Sequence, residues 1–198
     1  MKKQPLTPET ADAILDAAWT LMLAEGRADV GLGEVARAAG VTRQSVYLGF
    51  GSRAGLLLAM ARRADAQSAH SRRMRALADT TPATAGTLIA FTEAWLDHLP
   101  EIFAVGTLLL AAAATDADAR QVVRDRLDGS LRGAFRQILA GLPAGPDPDR
   151  AAALAWSLTH LDAWRHLVIE CGWTPAEFRA DRLTRIADLL RTPCTGTK

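Results

Sequence analysis

Along this chain apolar residues return every three or four positions, and no segment alternates apolar with polar residues for long. A strand with one wet face needs strict alternation, whereas a helix needs a stripe of period 3.6, so the spacing restricts the chain to helices. Ala, Leu and Arg, all good helix formers, are abundant, and β-branched residues are scattered. The expected fold class is all-α.

Capping residues divide the pattern. Thr7-Pro8 offers an N-cap followed by proline at the first helical position. Ala11, Ile14, Leu15, Ala18, Leu21 and Met22 then form a stripe that Gly26 is placed to end. Short helices are expected over residues 32–39 and 42–49, separated by Gly40-Val41. One long helix is expected over 53–78, about 39 Å at 1.5 Å per residue, with Thr80-Thr81-Pro82 stopping it. Further helices are expected over 83–99, 101–114, 116–142, 149–171 and 175–191, with a Pro- and Gly-rich linker at 143–148. The last has the clearest start, Thr174-Pro175-Ala176-Glu177, a capping box with proline at its first position.

Residues 32–47, LGEVARAAGVTRQSVY, read as a helix-turn-helix. Ala36 is small enough for a second helix to cross closely, and Gly40 tolerates the positive φ that the turn needs. Val35, Val41 and Val46 are spaced to bury between the helices, and Thr42 can cap the second one. Arg43, Gln44, Ser45 and Tyr47 are then left on its exposed first turns, all able to hydrogen-bond to bases or phosphates.

With Phe50 and Gly51-Ser52-Arg53 leading into a helix that carries Leu56 and Leu57, the stretch from about Thr7 to Met60 resembles the TetR family of transcriptional regulators. The resemblance implies a three-helix DNA-binding head (residues 1–51) and a larger helical body (52–198) that dimerises and commonly binds a small effector. It implies that Arg43, Gln44, Ser45 and Tyr47 touch bases or the adjacent backbone, and that Thr42 and Arg53 meet phosphate. Two residues depart from the family pattern. Gly49 stands where a histidine or another large residue near phosphate is common, and Gly55 where an acidic residue often completes the cap of the next helix, leaving that cap to Ser52.

In the body, Phe91, Trp95 and Leu99 recur at i, i+4 and i+8, with His98 beside them and Phe103 just beyond Pro100. Such a group is either plain core or an apolar effector pocket with a few polar groups. The resemblance favours a pocket formed by Phe91, Trp95, His98, Phe103 and Trp164. The segment 149–171 is apolar on two faces: Leu154, Leu158, Leu161 and Val168 on one, Trp156, His160, Trp164 and Leu167 on the other. The family's two-fold bundle implies a dimer interface of Leu154, Leu158, Leu161, Phe178, Leu183, Ile186 and Leu190.

The net charge of +1 conceals an asymmetry: residues 1–75 hold 11 Lys and Arg against 7 Asp and Glu, and the remaining 123 hold 12 against 15. A basic amino-terminal part suits a polyanionic partner. Catalysis is not expected. On one helix Asp162 falls about 160° round from His160, so Ser157, His160 and Asp162 form no triad. The histidines lack metal-ligand spacing, and no cofactor is implied. Cys171 and Cys194 suggest no disulfide framework, residues 1–6 read as no signal peptide, and the apolar run at 102–114 is too short to span a bilayer. The expected protein is a cytoplasmic homodimer, released from operator DNA by a small, largely apolar effector. An effector-free architectural or protein-binding helical dimer is the alternative.

Overall fold

The computed structural model describes residues 6–191; Cys194 and most of the segment weighed as a signal peptide lie outside the described residues. All regular structure among them is helical: α1 (Pro8–Glu25), α2 (Leu32–Ala38), α3 (Arg43–Phe50), α4 (Arg53–Gln67), α5 (Ala69–Ala78), α6 (Ala85–Ala112), α7 (Ala117–Val123), α8 (Arg132–Ala140), α9 (Pro148–Thr159), α10 (Leu161–Trp164) and α11 (Pro175–Arg191). Wider π-helical turns occupy Arg124–Leu131 and Arg165–Glu170.

Local capping explains most of the boundaries. Thr7 Oγ1 accepts the Thr10 N–H and Gly26 ends α1 at φ 62°. At the start of α11, Glu177 accepts from the Thr174 backbone N–H at 2.8 Å, and Thr174 Oγ1 accepts from the Glu177 N–H at 3.2 Å. That reciprocal pair is the expected capping box.

Three breaks in the helix pattern differ from expectation. The helix over 53–78 is broken at Ser68, whose hydroxyl caps α5 and also lies 2.9 Å from Glu101 Oε2. The pair over 83–99 and 101–114 is instead one helix that runs through Pro100. A mid-helix proline costs roughly 3 kcal/mol. Burial of Leu96 and Leu99 before it and Val105 and Leu109 after it outweighs that, at about 1.5–3 kcal/mol per large apolar side chain. As one 28-residue helix, α6 passes the length and composition test of a membrane span, mean hydropathy 1.2. Leu88, Phe91, Ala94, Trp95 and Leu96 are nonetheless buried in protein, as in a core helix. The third, over 149–171, stops at His160, whose φ of −64° and ψ of 156° are extended.

The chain packs as two compact units. One comprises the residues up to Asp65 together with Ala104–Arg124. Its core joins Ile14, Ala18 and Met22 of α1, Val35 and Ala36 of α2, Val46 of α3, and Leu56, Leu57 and Met60 of α4 to Val105 and Leu109 of α6 and Val122 of α7. Arg63 donates to Asp12 O at 3.0 Å and pairs with Asp16, tying α4 to α1. The other unit comprises Ala66–Phe103 and the residues from Asp125 onward. There α8 packs along α9, and α9 against α11. Phe91 meets Phe135 edge to face at 5.0 Å, and Trp164 meets Phe178 likewise at 5.1 Å.

His160 supplies a pH test of this second core. Its Nδ1 accepts the Asp162 N–H at 3.2 Å, which caps α10. Burial pushes the imidazole below its ordinary value, against the opposing pull of Asp162 and Asp128. The folded state therefore binds this proton less readily than the unfolded chain. The contribution is complete above the ordinary imidazole pKa of about 6.5 and is lost as pH falls through the lower folded value. Melting temperature should drop between about pH 7 and pH 5. His160→Asn keeps a capping acceptor without the titration, and should flatten that part of the profile in a calorimetric pH series.

Candidate nucleic-acid interface

The α2–turn–α3 segment is held from both ends. Before α2, the Gly31 N–H donates to Glu34 at 2.6 Å. Arg27 bridges Glu25, Asp29 and Glu34. The Gly31 N–H first, and Arg27 second, hold the Glu34 carboxyl below the usual carboxylate range. Within the turn Gly40 has φ 67°, a conformation that any Cβ would strain, and the Val41 N–H returns to Ala36 O at 2.9 Å. Thr42 Oγ1 accepts the Ser45 N–H at 3.0 Å and lies 2.8 Å from Ser45 Oγ, so Ser45 is engaged in the cap.

Helix α3 is divided sharply by face. Val46 has no exposure at all, whereas Tyr47 is 60% exposed and Leu48 43%. Thr42, Arg43 and Gln44 are exposed and Ser45 is half-buried. The outward surface is therefore Arg43, Gln44, Tyr47 and Leu48: a cation, an amide, a phenol and an isobutyl group. Such a set can donate to, accept from and make apolar contact with base edges in a major groove. Leu48 was missed in the sequence because leucine reads as core, although its i+4 spacing from Gln44 assigns it to the outward face.

Arg53, at the first position of α4, is already paired. Its Nε donates to Asp118 at 3.1 Å and its Nη2 to Asp116. Asp116 also caps α7, accepting from the Asp118 and Ala119 N–H groups at 2.9 and 3.3 Å. Burial alone would raise the Asp116 carboxyl; the bonds from Arg53 and the Ala119 and Asp118 N–H groups outweigh it and hold it low. Ser52 Oγ accepts the Gly55 N–H at 3.0 Å, so the α4 cap does rest on Ser52. A Cβ at Gly55 would come within 2.0 Å of Phe50 O, which leaves no room for the acidic side chain found there in the family pattern.

The residues expected around an effector are brought together only in part. Phe91, Trp95, His98 and Trp164 are buried and Phe103 is half-buried. Trp95 Nε1 donates to Thr159 O at 2.8 Å, and Phe103 lies 6.4 Å from Trp164, ring centre to ring centre. His98 is held by polar partners: its Nδ1 is 2.7 Å from Glu101 Oε2, and its Nε2 3.2 Å from Ser71 Oγ. A groove of about 370 Å³ lies elsewhere, between the turns leading into α8 and the start of α9, lined by Asp128, Arg132, Arg136 and Asp149 with Gly129 and Gly133. None of the expected effector residues lines it.

For the expected dimer interface, Leu161, Phe178 and Ile186 are 1%, 0% and 0% exposed in the single chain. Their side chains pack within their own chain. Leu158, Leu183 and Leu190 are half-buried and Leu154 is 46% exposed. These four remain as the accessible part of that set.

Comparison with known proteins adds a family match over part of the chain and a fold. Residues 14–60 match the family model of bacterial regulatory proteins, tetR family. No curated protein matches the chain in sequence. Among solved structures, a transcriptional regulator from Rhodococcus sp. Rha1 is 18% identical, with 91% of this chain and 96% of the other covered and a TM-score of 0.67. A TetR transcription regulator from Haloarcula marismortui is 13% identical, covering 93% and 98% at 0.65. A transcriptional regulator from Saccharomonospora viridis, in complex with choline, is 20% identical, covering 92% and 97% at 0.63. At these identities the likeness speaks to the fold alone.

Asp116 combines a helix cap with an ion pair, so Asp116→Ala should lower unfolding free energy by about 1–3 kcal/mol. Asp116→Asn keeps a capping oxygen and should lose only the ion-pair part. Urea denaturation of the three proteins measures both. Wild-type stability in the alanine variant would show that the Arg53–Asp116 link contributes nothing.

Proposed function

We propose that this chain, whose residues 14–60 match the family model of bacterial regulatory proteins, tetR family, is a homodimeric repressor released from a pseudo-palindromic operator by a small, largely apolar effector. Proteins of this family act as DNA-binding regulators, not as catalysts. The observation that carries the proposal is the division of α3. Val46 is buried, Thr42 caps the helix, and Arg43, Gln44, Tyr47 and Leu48 face outward.

In this reading residues 1–51 bind DNA in the cytoplasm, residues 52–198 dimerise and take the effector, and no metal or cofactor takes part. Each subunit lays α3 in a major groove, and two-fold symmetry sets two half-sites. Thr42 and Ser45 serve the backbone next to the bases, while Arg43, Gln44 and Tyr47 read base edges. Arg53 reaches phosphate only by leaving Asp116 and Asp118. An effector that prefers the DNA-incompetent state lowers operator affinity by its differential binding energy.

Phe91, Trp95, His98, Phe103 and Trp164 are the proposed effector site. Glu93 and Asp97 are already bound by Arg179, so they supply no free carboxylate that would call for a cationic effector. The edge-to-face contacts of Phe91 with Phe135 and of Trp164 with Phe178 also fit a closed core, which favours the effector-free dimer as a second reading. Trp95→Ala separates the two: it alters an induction curve in the first case and only stability in the second.

Gln44→Ala and Tyr47→Ala should each cost roughly 1–3 kcal/mol and relax base preference at one position of each half-site. Asp116→Asn with Asp118→Asn should release Arg53, tighten binding to all sequences and steepen the log–log salt slope by about one per site. That gain should vanish in Arg53→Ala. Binding-site selection with salt titration reads all four, and unchanged base preference in both α3 variants would overturn this placement of the recognition helix.

Leu154→Arg with Leu158→Arg inserts unpaired charge into the accessible leucine stripe. The double variant should sediment as monomer and lose operator binding. An intact dimer would assign the interface to another face.

A further inference from the structure

A helix turns by about 100° per residue, so a residue two positions from a buried one falls nearly opposite it. In α3 Val46 is buried, and Phe50, four residues on, packs half-buried against the same core. Leu48 lies midway between them and about 160° round from each, squarely on the outward crest of the helix. Gln44, one turn earlier, shares that crest. Arg43 and Tyr47 fall on one flank. On the other flank Ser45 is half-buried in the cap and Gly49 has no side chain. A groove that receives this helix therefore meets Gln44 and Leu48 first, and Leu48 brings it an isobutyl group 43% exposed to water.

In a major groove every base offers polar atoms, and thymine alone adds a methyl group at C5. A leucine pressed against a ring nitrogen, carbonyl or amino group would strip water from a donor or acceptor and return no hydrogen bond. Against the thymine methyl it buries carbon on both sides. Gln44 and Leu48 are about 6 Å apart along the helix axis, and base pairs are stacked about 3.4 Å apart.

We propose that Leu48 specifies a thymine in each half-site by packing on its C5 methyl group, no more than two base pairs from the pair that Gln44 reads. This rests on the reading of α3 as the recognition helix, and it adds an apolar determinant to the hydrogen-bonding ones. The leucine that looks misplaced on a wet surface is matched to the one apolar group that the groove displays.

The test uses the full chain and a duplex recovered by binding-site selection. Each thymine position is replaced in turn, in both half-sites together, by deoxyuridine, which lacks only the methyl group. At one position, within two base pairs of the pair whose preference Gln44→Ala relaxes, wild-type binding should weaken about fourfold per half-site and about 15-fold for the dimer, the change expected of one buried methyl-sized group. There Leu48→Ala should bind the thymine and deoxyuridine duplexes alike, with an unchanged salt slope. Because Leu48 is exposed, this variant leaves the core intact. Gln44→Ala and Tyr47→Ala should keep the discrimination. Wild-type binding indifferent to deoxyuridine throughout the half-site overturns the thymine assignment and leaves the regulator reading standing. Discrimination that persists in Leu48→Ala, or that disappears in Tyr47→Ala instead, does the same. If the wild-type protein selects no duplex, both fall together.

Discussion

A helix of eight residues does not persist alone in water, because nucleation costs more than so few hydrogen bonds return. Everything α3 does therefore depends on Val46, the one residue of that helix buried in the shared core with Ile14, Val35 and Leu57. Burying Val46 fixes the rotation of the helix about its axis. Once that rotation is set, Arg43, Gln44, Tyr47 and Leu48 have no choice but to face water. The Thr42 cap adds about 1 kcal/mol and starts the helix at a defined residue. Gly40 then permits the close approach of α2 that brings Ala36 under the turn.

Charge in the same unit is deployed largely inward. Arg27 stitches the segment before α2, Arg63 ties α4 to α1, and Arg53 joins the start of α4 to the cap of α7. Each is partly shielded and has a carboxylate partner, so it contributes more to holding elements together than to any long-range field. The basic balance of residues 1–75 thus overstates the positive charge available to a partner. Among the described residues the exposed cations without an ion pair in this unit are Arg37, Arg43, Arg62 and Arg124.

The second unit relies on interlocked aromatics and on polar groups that interrupt helices. Ser68 and His160 each use a side chain to start a new helix where the apolar stripe alone would have continued the old one. Ser68 lies within reach of both His98 and Glu101, and His160 stacks edge-on against Trp156 at 5.0 Å. A buried polar group without partners would be costly, so these breaks persist because their hydrogen bonds are made.

The sequence by itself determined whatever is decided within about four residues along the chain. Thr7, Gly26, Gly40, Thr42 and the Thr174–Glu177 box act on their immediate neighbours, so the start of α1, its end, the turn before α3 and the start of α11 were legible, and with them the helix-turn-helix and, Leu48 apart, its outward residues. Only the tertiary structure decided what depends on distant partners. Arg53 meets carboxylates 63 and 65 positions away. Ser68 breaks its helix through contacts 30 and 33 positions away. Pro100 is carried inside α6 by burial on both sides. Phe178 and Ile186 share an apolar face with residues that stay accessible, and a stripe cannot say which neighbour covers it. Periodicity specifies that a side chain must be buried; only packing specifies against what.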